Sequence, residues 1–475
     1  MEAGRDVWRI ERADRFTVLV DADAYFHQLR AAMLLARKRI MLIGWDFDAR
    51  IWLDREHRLA GEPRTVGALV PWLCDRNPEL EVYLLRWDLG ALKSLFRGVT
   101  LLSLIRWMRH PRITTLLDGH HPTAASHHQK IVVIDDCLAF CGGIDVTSER
   151  WDTSAHRDDE PVRRTPNGWK YKPWHDATTA VEGPVAAALG ELARYRWRVA
   201  GGPELPPVGP TPRCWPEGLP TMFEGVEVGI ARTLPEMPDQ EPVHESEALF
   251  LRQIADAEKW LYVESQYFAS RRIAEAIGRR LVEPDGPEVV IVNPRHAQGW
   301  LEPLAMDTAR ARLMAALWQR DPHKRLRMYH PVTRGGRDIY CHAKILIADD
   351  RVLRLGSSNM NNRSMRLDTE CDLAFEAGAD AERATIAGLR DRLLGEHLDV
   401  PPERVAAVFA ETGSLIEAVE RLRGEGKTLD PYEVPELNAV TCWLADHEAL
   451  DPEGPDELFE PLSARRLFRR LRKPR

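Results

Sequence analysis

The chain has 475 residues, of which 44% are hydrophobic and 29% charged, with 65 Lys/Arg against 73 Asp/Glu and a formal net charge of −8. A chain of this size and mix can bury its own core, which excludes disordered, collagen-like and disulfide-scaffold classes. The acidic balance also removes the global basic footprint of a nucleic-acid binder. The seven cysteines (74, 137, 141, 214, 341, 371, 442) are odd in number and contain no CxxC, so neither a zinc-ligand cluster nor a disulfide framework is expected.

The N-terminus, MEAGRDVWRIERADRF, is charged from its second residue and has no apolar h-region. No signal peptide is expected, and no apolar run is long enough for a transmembrane helix. The expected address is the cytoplasm, with any membrane contact peripheral. A first lobe is placed at 15–200. It opens with a helical pattern over 26–38, followed by apolar strands within 35–47 and over 81–87. Residues 91–109 mix large apolar side chains with Lys93, Arg97, Arg106 and Arg109, which suits a core-packing helix or one lying on an anionic lipid surface. The strand Ile131–Ile134 follows His128-Gln129-Lys130 and ends at Asp135, and a further strand falls within 176–183.

Residues 201–220 are crowded with Pro and Gly and read as a linker. A second lobe is placed at 221–397, with strands within 256–268, 288–294 and 370–378 and a helix over 302–319. The remainder, 398–475, reads as helical. Ser414 with Glu417 fits a capping box, and the last twelve residues, ARRLFRRLRKPR, form a basic tail that is either solvated or lipid-binding. Strands alternating with helices, twice over, predict an α/β fold made of two similar layered lobes.

The two lobes repeat each other. His128, Lys130 and Asp135 match His342, Lys344 and Asp349 as HxKxxxxD, an offset of 342 − 128 = 214. Each His is followed fourteen residues later by a small pair, Gly142-Gly143 and Gly356-Ser357, and Asp145 then corresponds to Asn359. LARKRIMLIGWDF parallels DAEKWLYVESQYF, EVYLLRW parallels EVVIVNP, and Asp176 falls opposite Glu370.

Alternate residues of a strand share a face, so each His shares a face with its Lys. Lys is almost never buried without a partner, which argues against a purely structural repeat. If the lobes meet about a pseudo-twofold axis, two imidazoles and two ammonium groups converge, a set suited to a phosphodiester. The lysines would meet the charge building on the non-bridging oxygens. One neutral His would attack phosphorus while the other protonates the leaving oxygen, giving a phosphohistidine that water or an alcohol resolves. This scheme calls for no metal or other cofactor. Asp176 and Glu370 are the candidates to orient the imidazoles. Asp135 and Asp349 complete the motif and count among the candidate catalytic residues, although at strand ends they are better placed to bond backbone or nearby cations.

HHQKIVVIDDCLAFCGGIDVTSERWD and IYCHAKILIADDRVLRLGSSNMNNRSM resemble the two signature motifs of the phospholipase D superfamily, in particular its eukaryotic-type and related bacterial phospholipases D; VESQYF (263–268) and PWHD (173–176) are similar to further segments of that branch. The resemblance covers most of residues 15–397. It implies two α/β lobes with the active site between them, hydrolysis of phosphatidylcholine-like lipids to phosphatidate, and phosphatidyl transfer to alcohols. Carried over, the catalytic set is His128, Lys130, His342 and Lys344, with Asn359 and more weakly Ser357 holding the phosphate. His128 is the expected nucleophile and His342 the general acid, an order the sequence leaves open. The expected partners are a phospholipid at a membrane surface and a water or alcohol acceptor, without nucleic acid, for a chain acting as a monomer. GSSNMNNRS also resembles the cardiolipin synthase branch, the alternative reading. A nuclease and a lipid-binding pseudoenzyme are the remaining alternatives.

Overall fold

The computed structural model describes residues 1–55, 61–88, 106–122, 125–209, 214–297 and 306–435. Among them, one sheet of sixteen strands runs through the whole molecule. Its centre is an antiparallel pair of long strands, Arg9–Val20 and Phe223–Leu234. Outward from Arg9–Val20 lie Ala177–Glu182, Leu138–Gly142, Ile131–Ile134, Arg39–Gly44, Glu81–Trp87 and Ile113–Asp118. Outward from Phe223–Leu234 lie Glu370–Glu376, Val352–Gly356, Ile345–Ala348, Trp260–Glu264, Glu288–Val292 and Leu326–Val332. The two halves therefore have the same strand order about the central pair, which is the α/β duplication expected from the repeat.

Side chains alternate between the two faces of each strand. Met41, Ile43, Ile345 and Ile347 enter a core shared by both lobes, covered by the helices Pro184–Val199 and Asp380–Leu398. Ile40 and Leu42 enter a separate core under Ala22–Leu35 and Val66–Arg76. Leu261 and Leu346 enter its counterpart under Glu245–Ala255, Arg271–Leu281 and Thr308–Gln319. The shared core makes the lobes one packed body.

Three findings differ from the sequence reading. The first lobe begins earlier than residue 15, because half of the central strand Arg9–Val20 precedes it, and Met1 reaches across to pair its ammonium group with Glu376 at 2.9 Å. The region after 397 is not helical throughout: after the helices Pro402–Thr412 and Leu415–Leu422, Thr428–Pro431 adds an edge strand beside Leu326–Val332. Ser414 does cap its helix, accepting from Glu417 N at 3.0 Å. Finally, Cys137 and Cys214, 77 residues apart, form a disulfide that ties the linker to the first lobe. Such a bond is uncommon in a reducing cytoplasm. Most of the 91–109 stretch and the whole basic tail lie outside the described residues, and no described helix is long and apolar enough to cross a membrane.

Candidate active site

The two motif histidines meet through a crossing of the lobes. Residues just before each motif strand pair in parallel with the segment bearing the other lobe's acid: His127 with Thr369, and Tyr340 and Cys341 with Trp174 and His175. His128 N donates to Thr369 O (3.0 Å), and His342 N donates to His175 O (2.7 Å). Each His thus stands beside the next residue of the opposite lobe. His128 Nδ1 lies 3.0 Å from Glu370 Oε1, and His342 Nδ1 lies 2.7 Å from Asp176 Oδ2. The structure brings both orienting candidates to the imidazoles, crosswise.

The crossing sets the tautomers. His128 Nδ1 also lies 3.1 Å from the Ser357 carbonyl oxygen, a group that can only accept. Nδ1 therefore carries the hydrogen, leaving Nε2 as the reactive nitrogen. His342 has the same arrangement through Asp176, whose other oxygen accepts from Ala177 N at 2.8 Å. Ser357 does not face a ligand as expected. Its hydroxyl donates to Glu370 Oε2 at 2.5 Å and accepts from Cys371 N at 3.0 Å, so it holds the acid that holds His128.

The glycines of the small pairs explain how strands approach closely enough for this. A Cβ on Gly142 would lie 2.4 Å from Thr178 Cα, and one on Gly356 would lie 2.4 Å from Asp372 Cα. On Gly143 it would meet Asp176 Oδ1 at 2.1 Å. Only hydrogen fits at these positions.

Both lysines fold back on their own motif, Lys130 Nζ donating to His128 O at 2.7 Å and Lys344 Nζ to His342 O. Beyond that they differ. Lys130 is ion-paired with Asp145 Oδ2 at 3.3 Å, and Asp145 Oδ1 accepts from Trp45 N at 3.0 Å. Lys344 meets the neutral amide of Gln266, Oε1 at 3.3 Å, and the Asn359 side chain sits against the same Gln266 at 3.5 Å, with its own Oδ1 buried and unbonded. Gln266 had not been singled out in the sequence, although it lies in VESQYF.

Burial dominates the electrostatics. It pushes both imidazoles well below the ordinary histidine range, and Lys130 and Lys344 add to this. It pushes Lys344 down to about 7, with Lys130 adding further repulsion. It also pushes Glu370 and Asp176 upward, against the pull of Lys130 on the first and Lys344 on the second. Arg150 adds a further positive charge that disfavours protonation of His342, and its guanidinium lies 4.3 Å from the Trp174 ring, which in turn stands 5.0 Å from the His342 ring. Every group is set for the arrival of an anion, which would offset this crowding of positive charge.

Asp135 and Asp349 lie elsewhere. Seven residues of extended chain separate each from its His, roughly 20 Å. Asp135 accepts from the backbone N–H groups of Arg37, Lys38 and Arg39, and Asp349 from those of Glu258, Lys259 and Trp260. They fix the entry of the neighbouring strand, with positive φ angles of 53° and 55°, away from the crossed histidines.

Residues 250–385 match the family model described as "Cardiolipin synthase, PLD-like domain". Phospholipase D alpha 1 of Carica papaya is 24% identical over 84% of this chain and 66% of its own length. The protein of the same name from Vigna unguiculata is 24% identical over 77% of this chain and 63% of its own. The chain thus resembles the phospholipase D superfamily along most of its length. Phospholipase D A of Dictyostelium discoideum is 23% identical over 77% of this chain but only 33% of its own length. The chain thus spans 63–66% of the length of the two plant phospholipases D. The phosphatidylserine synthase of Haemophilus influenzae has a similar fold, with a TM-score of 0.52 at 13% identity over 86% of this chain and 96% of its own.

Proposed function

We propose that this chain is a member of the phospholipase D superfamily, a phosphodiesterase and transphosphatidylase acting on phosphatidylcholine-like glycerophospholipids. The observation that carries the reading is the crosswise pairing of each motif His with the other lobe's carboxylate, which leaves two free Nε2 atoms with the same tautomer.

In the first step the Nε2 lone pair of His128 attacks phosphorus and the bond to the head-group oxygen breaks. His342, charged once the phosphate anion has offset the lysines, gives its Nε2 proton to that oxygen. The product is a phosphatidyl group on His128 Nε2. In the second step water or an alcohol attacks phosphorus, His342 takes its proton, and the P–N electron pair returns to His128. Lys344 and Lys130 face the non-bridging oxygens, with Asn359 as a neutral donor beside them. His128 is assigned as nucleophile because its side chain is the more open of the two, 16% against 6% exposed. The protein works as a monomer from the aqueous side of a lipid surface, with no cofactor in the chemical steps.

A phosphatidyltransferase of the cardiolipin synthase type is the second reading, favoured by the description of the family model over 250–385. It uses the same intermediate and differs in the acceptor. The test is incubation with phosphatidylcholine vesicles and a primary alcohol, beside a His128→Ala control. Phosphatidyl-alcohol formed only by the unaltered protein is the expected result. Cardiolipin from phosphatidylglycerol, with no turnover of phosphatidylcholine, selects the second reading. Release of nucleotides from DNA, with neither lipid product, would replace both.

A further inference from the structure

The residue before Asp176 leads into a polar cluster that the phosphodiester chemistry does not use. His175 Nδ1 lies 2.7 Å from Glu396 Oε1 and 3.5 Å from Asp21 Oδ1. His156 Nε2 lies 3.0 Å from the same Glu396 oxygen and 3.9 Å from the same Asp21 oxygen. One donor atom from each of these four residues lies within 4.8 Å of all the others. The four come from widely separated segments, at residues 21, 156, 175 and 396, so no ligand spacing in the sequence announces them.

Two independent features point to a cation. The first concerns the outward nitrogens. His175 Nε2 lies 2.7 Å from Glu264 Oε2, and His156 Nδ1 lies 3.1 Å from Asp152 Oδ2. Those carboxylates are themselves held, Glu264 by Tyr262 Oη (2.6 Å) and His397 Nε2 (3.0 Å), Asp152 by Arg163 Nη1 and Trp174 N. An imidazole that turns one nitrogen inward and gives the other to a fixed carboxylate has the orientation of a metal-ligating histidine. The second concerns Asp21, which is 2% exposed and yet has both carboxylate oxygens buried without a hydrogen bond; Glu396 Oε2 is likewise unbonded. Bare buried carboxylate oxygens are costly. Two imidazolium ions would match the charge of a divalent cation here, but they reach Asp21 only at 3.5 and 3.9 Å and leave it without a hydrogen bond.

We propose that Asp21, His156, His175 and Glu396 form a closed structural site for a divalent transition-metal ion of the zinc class. Two imidazole nitrogens and two carboxylate oxygens are a borderline-soft, four-donor set. In tetrahedral coordination such ligands stand about 3.4 Å apart, within the spread of the four separations above. Calcium and magnesium call for six or more oxygens, which this pocket does not offer. The ion would join Asp21, His156 and His175 of the first lobe to Glu396 of the second. It would also brace the reactive centre, because Asp21 N donates to Asp176 O at 2.7 Å and His342 N donates to His175 O. The four ligands act as positioning residues for His342.

The test uses the untagged full chain. Metal content is measured by mass spectrometry after gel filtration, and stripped protein is titrated with Zn²⁺ or Co²⁺ alone. The expected result is one zinc-class ion per chain, Co²⁺ absorption bands of a four-coordinate site, and a fall of several degrees in melting temperature on stripping. Asp21→Asn and His156→Gln should each weaken Zn²⁺ binding at least tenfold. If His156→Gln does not fold, Asp21→Asn, which breaks no side-chain hydrogen bond, decides the question. Stripped protein that rebinds neither ion, binding unchanged in Asp21→Asn, or stoichiometric calcium in place of zinc would each overturn the proposal.

Discussion

The two halves of the active site have the same backbone and different charge. In the first lobe Lys130 is neutralised by Asp145, 3.3 Å away. In the second the matching residue is Asn359, and Lys344 bonds only to neutral oxygens, those of the Gln266 amide and the His342 backbone, with Asp176 acting on it without an ion pair. The consequence is visible in Lys344 itself, pushed down to about 7 by burial and by Lys130. Duplication preserved the geometry that crosses the lobes, while one substitution in the loop after the motif divided the labour. The unmatched positive charge that a phosphate would feel belongs mainly to the second lobe.

The largest effects should come from the histidines. His128→Ala and His342→Ala should each lower turnover by about 10⁴-fold, since the two act as a unit. A phosphodiester of p-nitrophenol separates them, because its leaving group needs no proton. A first-step burst of p-nitrophenol should persist in His342→Ala and not in His128→Ala, while steady turnover stays low in both; equal bursts would erase the assigned roles. Next come the lysines. Lys344→Met should cost about 10²–10³-fold in kcat, the scale of losing one transition-state donor. Lys130→Met should cost as much, partly because Asp145 is left unpaired beside the substrate. Adding Asp145→Asn should then restore part of the activity, with a coupling of about 0.5–3 kcal/mol in a double-mutant cycle. No coupling would make the ion pair irrelevant to the asymmetry.

The pH profile tests the same contrast with a smaller effect. Lys344 must be protonated to act, so kcat/KM of the free enzyme should fall as pH rises through about 7. The acid limb should lie well below pH 6.5, because the nucleophile His128 has depressed proton affinity in the empty site. In Lys344→Arg the alkaline limb should move upward, since the guanidinium does not titrate in that range. An unmoved limb assigns it to another group. The smallest effect concerns the close strand contacts: Gly142→Ala and Gly356→Ala should each destabilise the fold by about 1–3 kcal/mol in urea unfolding. Their equal cost would show that packing, unlike charge, has stayed symmetric.

The reactive groups were legible because strand periodicity puts His and Lys on one face and the repeat confirms the pattern. The small pairs were legible as a signal, and their cause, strands in backbone contact, emerged only in three dimensions. Ser357 was misread because a hydroxyl near a phosphate site has the same appearance in sequence whether it binds substrate or holds an acid. The central strands were missed for another reason. Arg9–Val20 and Phe223–Leu234 are also offset by 223 − 9 = 214, yet they share no identical residue at that offset, and the first is charged along half its length. They pair with each other rather than packing alike, so their side chains diverged. The Cys137–Cys214 bond and the cluster around His175 join segments so distant that no local pattern could reveal them.

The central pair of strands has the form of an isologous dimer interface, one half facing its own image across an axis. In this chain that interface is internal, and the connection between the halves passes through a linker fastened at Cys214. A proteolytic cut in the linker ahead of Cys214 would open the main chain, leave the Cys137–Cys214 bond as the covalent link between the halves, and touch neither the sheet nor the crossed histidines. The nicked protein should therefore migrate as two pieces only after denaturation and reduction, and behave until then as one enzyme.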